Sequence, residues 1–562
     1  MKSTPRFRRW DYPVFFALTA LHLSVVGFVI VAWISRGEVS AIHPLVLAIL
    51  ATVALQFALW EWRWIALPLM RVPEPTVPRA GLRVGVAVTF VPGAESVEML
   101  ETTVAALVAM RYPHDTWVLD EGNDAQVRRV CQRLGAKHYS RLGTPRYQQA
   151  EGRFKAATKY GNYNAWLEDV GYEAYDIVVA FDSDHVAKPE YLTSVLGYFE
   201  DEKVGYIQAA QVYSNQGASF IARAAAEETY AYYSSVQMTA FAVGYPMVVG
   251  CHNAHRVTAL RQIGGFSPHE ADDMVMTLLY RAHGWRGVYV PKILARGLTP
   301  VSWGAYLGQQ RRWARSVLDF KLRVFPKHAK QLPFLERVLT YVHGIYYLRG
   351  PVIGLRLALI TLMLALSWLP AGGATGVSLL AGLGAIWLTV FLCDLFRQRF
   401  FLDVRNEWGL HWRSMFIACV KWPYFVLAWW DAIRGQYGTY TLTPKARRTS
   451  TPVGFGTLHA VVAVVIAAAW LVDLVRGPSE FIAIHIAAAF AVFTSLMAVV
   501  TSTWTYPPAY QEVSPRRSRF VERAPVHEVA VPVPMYAEAA AAPVRQLPVT
   551  PAAAKEQIRA LG

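Results

Sequence analysis

Asp176-Ile177-Val178-Val179-Ala180-Phe181-Asp182-Ser183-Asp184-His185 is the stretch that decides the fold: a β-branched, apolar run ends in two carboxylates and an imidazole. A short continuous apolar run bounded by polar residues reads as an interior strand. Comparable runs at 83–90, 116–119 and 204–208 alternate with helical patterns at 96–110 and 189–200. That alternation predicts an α/β domain with a mainly parallel sheet and helices on both faces. In an open sheet of this kind the carboxyl ends of the strands face the ligand crevice. Asp182 and Asp184 therefore share a pocket with Asp120-Glu121-Gly122, which closes the strand at 116–119.

The flanks of this domain have a different character. The chain has 562 residues, 54% hydrophobic, with 19 Trp, a composition that points to a membrane protein. Apolar runs at 12–34, 45–66, 351–370, 374–396, 454–475 and 479–501 are each near the ~20 residues a bilayer requires, which predicts an α-helical domain of about six spans. The first follows Arg6, Arg8 and Arg9, is too long for a signal sequence and lacks a small-residue cleavage site, so it is expected to stay as an anchor with a cytoplasmic amino terminus. In the stretch 412–434, helical spacing puts Arg413, Ser414, Lys421, Asp431 and Arg434 on one side, the pattern of a helix lying in the membrane interface. That placement keeps the basic Lys445, Arg447 and Arg448 on the cytoplasmic side. The formal charge of +15 sits mainly beside apolar runs, where it meets anionic lipid, so the bilayer and not nucleic acid is the expected partner. Cys131, Cys251, Cys393 and Cys419 have no metal-ligand spacing, and neither zinc nor a structural disulfide is expected.

The expected organisation is two spans in 1–78, the α/β domain in 79–302, interfacial helices in 303–348, two spans in 349–398, an interfacial helix and loop in 399–453, two spans in 454–502, and a cytoplasmic disordered tail in 503–562. The α/β domain and both termini are expected in the cytoplasm, with the chain multi-pass in the cytoplasmic (inner) membrane. Arg356, a charge inside the third span, either faces the protein interior or snorkels to the surface.

Clustered acids repel, and a hard divalent cation shared with phosphate oxygens relieves the conflict. Asp184 is the candidate ligand, with Asp182 beside it and Asp120 on the nucleotide side; an isolated Asp-x-Asp is also a common turn or cap. Lys159-x-Gly161-Asn162 opens a helix, with a lysine able to reach a phosphate and a glycine permitting close backbone approach. His269-Glu270-Ala271-Asp272-Asp273 begins another helix, where acids either complement the dipole or supply a general base. In the amphipathic segment 306–325, Gln309, Arg312 and Trp313 project together and offer an amide, a fixed cation and an aromatic plate, a combination suited to a sugar.

Taken in order, Asp120-Glu121-Gly122, Lys159-x-Gly161-Asn162, Asp182-Ser183-Asp184-His185, Asp272-Asp273 and Gln309-x-x-Arg312-Trp313 resemble the motifs of the processive family-2 glycosyltransferases, the bacterial cellulose synthase catalytic subunits above all. Gln262-Ile263-Gly264-Gly265-Phe266 and Gly284-Trp285 fit the same pattern, and the likeness spans about 84–445. The resemblance implies a GT-A domain, a UDP-sugar donor with UDP-glucose favoured, Mg2+ or Mn2+ as cofactor, and Asp273 as catalytic base of an inverting transfer. It implies donor contacts from Asp120, Glu121, Lys159, Gly161, Asn162 and Asp182, metal ligation by Asp184 and Asp182, and a hold on the growing polysaccharide acceptor by Gln309, Arg312 and Trp313. Tyr440-x-Leu442-Thr443-x-Lys445 is similar to that family's gating loop. Export through the membrane helices follows from the resemblance, which leaves room for a periplasmic or extracellular export subunit.

The chain departs from the pattern in having Asp-Glu-Gly for Asp-Asp-Gly, Ala271-Asp272-Asp273 for Thr-Glu-Asp, and Met247-Val248-Val249-Gly250-Cys251 for Phe-Phe-Cys-Gly-Ser. Pro92-Gly93-Ala94-Glu95 has no aromatic to support a nucleotide base, a role for which Phe90 is the substitute. Arg519-x-x-x-Arg523 lacks the partners of a cyclic-di-GMP domain, so no such control is expected. Two rival readings stand beside synthesis of a β-linked polymer: single sugar addition to a lipid carrier, and a transporter or scaffold with a nucleotide-binding domain.

Overall fold

The computed structural model describes residues 2–35, 44–369, 373–435 and 450–506. The gating-loop residues Tyr440, Leu442, Thr443 and Lys445, and the tail beyond 506, lie outside the described residues.

The Val- and Ile-rich runs form the expected strands. Together with shorter partners they build a seven-stranded sheet of β1 (Val84–Phe90), β2 (Asp115–Asp120), β3 (Lys137–Tyr139), β4 (Ile177–Phe181), β5 (Val204–Ala209), β6 (Asn253–Arg256) and β7 (Arg286–Val290), in the order β7-β5-β6-β4-β1-β2-β3. Val86, Val88 and Val179 pack into the core on one face, while Ala87, Val178 and Ala180 pack into the other. Two buried faces explain why these strands read as continuous apolar runs instead of alternating ones.

The sheet is mainly parallel, as expected, with one antiparallel strand that makes it mixed. β6 runs antiparallel to both β4 and β5, and the remaining pairs are parallel. The reason lies in how the chain enters β6: its first residue, Asn253, pairs with Ala180 and Gln208 at the carboxyl ends of β4 and β5. A chain arriving at that edge has to run back along its neighbours. β3, β6 and β7 are the strands that the sequence pattern did not reveal.

Six helices among the described residues are long and apolar enough to cross a membrane: Asp11–Ser35, Pro44–Leu69, Phe334–Leu366, Gly376–Gln398, Val453–Arg476 and Ile482–Ser502. The stretch expected as one interfacial helix is instead two, Trp412–Val420 and Trp422–Arg434, bent by 49°. Pro423 stands in the first turn of the second helix, where its missing N–H is tolerated but continuation of the first helix is not.

The polar side of this broken helix faces protein. Arg413 and the Ser414 amide meet Glu227, and Arg311 donates to Asp431 at 2.7 Å. At the bend, the Lys421 side chain is 0% exposed and donates to both Glu228 oxygens at 2.6 and 2.8 Å, to Tyr306 Oη at 2.8 Å and to Gln310 Oε1 at 3.0 Å. An ammonium so deeply enclosed is tolerable only because its charge and all its protons are matched. Lys421→Met leaves Glu228 without its cation, and the expected cost is about 3 kcal/mol. Adding Glu228→Gln to that variant is expected to recover most of the loss, which thermal unfolding of the four members of this double-mutant cycle in nanodiscs measures.

Candidate active site

Strand ends and helix starts converge at the carboxyl edge of the sheet. β1 and β2 end in register, Phe90 opposite Asp120, so the residues that follow them emerge at one level. Asp182 and Asp184 follow β4, and Lys159 begins the helix Lys159–Trp166, whose cap is the Thr158 hydroxyl accepting from the Gly161 amide at 3.2 Å. The Lys159 ammonium donates to both Asp182 Oδ1 and the Gly250 carbonyl oxygen. One side chain thus ties a helix start, a strand end and the loop before β6.

Asp184 is buried, with Oδ1 3.1 Å from His185 Nδ1 and Oδ2 accepting from the Leu298 amide at 3.3 Å. Ligand atoms of Asp182, Asp184 and His185 lie within 4.8 Å of one another, a spacing that suits one divalent cation.

Asp272 and Asp273 open the helix Asp272–Ala282 and line the same cavity as Asp182 and Asp184. Loss of solvent and the neighbouring Asp272 charge push the Asp273 carboxyl up to about 7. Asp272 is itself pushed up, mainly by loss of solvent. Two adjacent acids shielded from water hold protons more tightly than separate ones do.

Gln309, Arg312 and Trp313 also line this cavity, from the helix Trp303–Asp319. Three contacts orient that helix. Trp303 Nε1 donates to Thr501 at 3.2 Å, Arg315 grips Glu270 at 2.6 to 3.1 Å, and His269 Nε2 is 3.0 Å from Asp319. The last two bind the helix to the loop that leads into Asp272 and Asp273, so the three residues and Asp273 are held by one frame. The cavity measures about 1610 Å³ and continues among the membrane-type helices, where its walls include Arg356, Trp387 and Phe490. Arg356 turns inward and donates to Thr52 Oγ1 at 3.0 Å.

Two residues expected at the donor do not line the cavity. Asp120 is fully buried, and its oxygens accept from the Gly122 and Asp124 amides and approach His138 at 3.1 Å. Gly161 is packed so tightly that a Cβ there would stand 2.3 Å from the Lys155 carbonyl oxygen and 2.7 Å from Arg141. Its glycine leaves room for a neighbouring side chain and not for a ligand. Glu121, Asn162, Lys159 and Asp182 do line the cavity. The buried Asn162 donates through Nδ2 to the Leu119 carbonyl, while its Oδ1 has no partner among the described residues.

Sequence reasoning missed Glu95 and Arg141. Glu95 accepts from the Ser183 hydroxyl between the two aspartates and from the Val91 amide at 2.8 Å, and burial pushes it up to about 7. Its position just beyond β1, at the same sheet edge, was the available signal. Arg141 carried none. It is fully buried, pairs through two nitrogens with Glu121 at 2.8 and 3.0 Å, and donates to the carbonyls of Tyr147, Phe154, Lys155 and Thr158.

Against this geometry, residues 85–316 match the family described as Glycosyltransferase like family 2. The chain carries a family-2 glycosyltransferase domain. The matched residues hold the α/β sheet and the acidic motifs, in agreement with the resemblance read from those motifs. Glucomannan 4-beta-mannosyltransferase 1 of Cyamopsis tetragonoloba is 24% identical over 261 residues, which cover 44% of this chain and 48% of that protein. Cellulose synthase 1 of Komagataeibacter xylinus is 27% identical over 265 residues, covering 45% of this chain and 16% of that protein. The chain thus spans about half the length or less of the curated relatives it matches. Among solved structures, the mannosyltransferase PcManGT from Pyrobaculum calidifontis in complex with GDP-Man and Mn2+ is 17% identical with a TM-score of 0.45, covering 70% of this chain and 100% of that one.

Within the glycosyltransferase domain, Arg141→Met strands the Glu121 carboxylate and four carbonyls without their donor. The expected cost is about 3 to 5 kcal/mol, with new protease cleavage in 147–158. Lysine has no planar fork, so Arg141→Lys is expected to recover little of it. Thermal unfolding and limited proteolysis check both variants.

Proposed function

We propose that this transferase polymerises a β-linked polysaccharide from a nucleotide-activated hexose and delivers the product into the membrane helices. The observation that carries the reading is a single cavity. It joins Asp182 and Asp184, the raised carboxyl of Asp273, and Gln309, Arg312 and Trp313, and it continues between the apolar helices.

The chain's residues divide the work as follows. Asp182, Asp184 and His185 fit a divalent cation of the Mg2+ or Mn2+ type, which when bound stabilises the charge of a departing nucleoside diphosphate. His185 steadies the Asp184 carboxylate through Nδ1. Lys159 lies where its ammonium meets developing diphosphate charge, and its present partners, Asp182 and the Gly250 carbonyl, hold it there. Trp313 stacks the terminal sugar of the acceptor, while Gln309 and Arg312 hydrogen-bond its hydroxyls. Asp273 takes the proton of the attacking hydroxyl, and attack opposite the leaving group inverts the anomeric centre to give a β-linkage. Glu121 and Asn162 contribute to the donor wall, with Asp120 shaping the loop behind them. Tyr440, Leu442, Thr443 and Lys445 fill the gating role by their resemblance alone.

The proposed donor is a UDP-sugar, UDP-glucose first. The names of the glucomannan relatives favour a mannose donor as the second candidate. The family match supports the catalytic type, and the relatives' names support β-glycan synthesis over single addition to a lipid. A cytoplasmic-face domain in an inner membrane, with an export subunit beyond it, completes the proposal.

Asp273→Asn is expected to lower kcat by about 10²- to 10⁴-fold while nucleotide binding persists. In the unsubstituted protein kcat/KM is expected to fall as pH drops through about 7, because protonation removes the base. The stability effect has the opposite sign. Folding raises this carboxyl, so the native state holds its proton more tightly than the unfolded chain, and stability is lost as pH rises from the ordinary carboxylate range through about 7. Above that pH the inactive Asp273→Asn protein is expected to melt a few degrees higher, which separates lost chemistry from lost folding.

Purified protein in nanodiscs, supplied with Mn2+ and either UDP-glucose or GDP-mannose, is expected to release nucleotide and yield long chains cut by a β-specific endoglycanase. Single additions to lipid would refute the polymerase reading. Undiminished function in Asp273→Asn would favour a transporter or scaffold.

A further inference from the structure

Immediately behind the carboxylate pair lies a cluster that shares His185 with it and adds two residues, Cys251 and His252, that the transfer reaction does not use. One ring nitrogen each from His185 and His252, together with Cys251 Sγ, lie within 4.8 Å of one another, and all three residues are buried. We propose that His185, Cys251 and His252 form a second cation site, selective for a thiophilic divalent ion of the zinc class.

The hydrogen bonds around the two imidazoles are those of metal-ligating histidines. His185 directs Nδ1 to the Asp184 carboxylate at 3.1 Å, and its Nε2 lies 3.4 Å from Cys251 Sγ and 3.2 Å from Gln211 Nε2, an amide that has to turn aside when an ion binds. That separation is close to the edge of a tetrahedron with Zn–N near 2.05 Å and Zn–S near 2.3 Å, roughly 3.5 Å. His252 directs Nε2 to the Ala210 carbonyl oxygen at 3.0 Å. Donation of the second ring N–H to a carboxylate or a carbonyl is how proteins fix the tautomer and orientation of a ligating imidazole.

The decisive atom is His252 Nδ1. It is buried, has no hydrogen-bond partner among the described residues, and is the nitrogen left available to an ion once Nε2 is engaged. A thiol hydrogen bond accounts for the contact between Cys251 and His185, but it leaves that atom unsatisfied where water cannot reach it, an arrangement that is costly for a polar group. An ion satisfies all three atoms together.

Donor type separates this site from its neighbour. Two carboxylates suit Mg2+ or Mn2+, whereas a thiolate with two imidazoles suits zinc-class ions. Access exists, because His185, Cys251 and Gln211 all line the large cavity. On binding, the Cys251 S–H bond breaks, its proton passes to solvent and an S–metal bond forms, so uptake weakens as pH falls.

Cobalt serves as the spectroscopic probe. The full-length protein titrated with Co2+ in excess Mg2+ is expected to develop a near-ultraviolet thiolate-to-cobalt charge-transfer band that saturates at one equivalent and is displaced by Zn2+. Cys251→Ser is expected to abolish the band, while Cys131→Ser, Cys393→Ser and Cys419→Ser retain it. Absence of the band in the unsubstituted protein, its loss to Mg2+, or its persistence in Cys251→Ser would overturn the proposal. Should Cys251→Ser fail to fold, His252→Asn decides, since it keeps the thiol: at least tenfold weaker Co2+ binding supports the site, and unchanged binding overturns it.

Discussion

The Lys159 ammonium, held between the Asp182 carboxylate and the Gly250 carbonyl, is the contact around which this site is assembled. Each partner sits at the end of a separate element: a capped helix, the strand β4, and the loop that turns into β6. Like charge gathered at one sheet edge would otherwise drive those elements apart, because Glu95, Asp182, Asp184, Asp272 and Asp273 all face the same cavity. Lys159 and His269 reduce that repulsion at Asp272 and Asp273, yet Glu95 and Asp273 keep carboxyls near 7. The remaining negative field suits a divalent ion with its diphosphate.

The loop from Gly250 to His252 experiences this clamp most directly. Gly250 and His252 both adopt φ of +35°, a left-handed conformation that is costly for the histidine. Lys159 restrains the loop through Gly250, and the Tyr191 hydroxyl does so by donating to the His252 carbonyl at 2.7 Å. The same strained turn that lines the cavity therefore places Cys251 against His185. A motif change at Gly250-Cys251 consequently acts on the Lys159 clamp and on the contact of Cys251 with His185 together.

A second set of ion pairs couples the cavity to the membrane-type helices. Arg315 with Glu270 and His269 with Asp319 join the helix of Gln309, Arg312 and Trp313 to the loop of Asp273. Lys421 and Arg311 join that helix to the broken one at 412–434. The broken helix is thereby held against the helix of Gln309, Arg312 and Trp313 by charge pairs that are expensive to separate when buried.

Local pattern alone determined much of this protein. Strands β1, β2, β4 and β5, the apolar helices and the order of the acidic motifs were legible because periodicity, run length and strand-end position are properties of neighbouring residues. β6 stayed hidden because its four residues, Asn253–Arg256, carry two polar groups and a charge, and only its neighbours on both sides make it a strand. The break at Lys421 escaped notice for a related reason, since a helical wheel records which side is polar but not that Glu228, 193 positions away, awaits the lysine. Asp120 and Gly161 were recognised as motif residues, yet packing decides that the Asp120 carboxylate meets backbone amides and that Gly161 lies against the Lys155 carbonyl. Arg141 and the pairing of Cys251 with His185 and His252 belong wholly to the tertiary structure. Charges and ligand atoms distant in sequence acquire meaning only when folding removes water from between them.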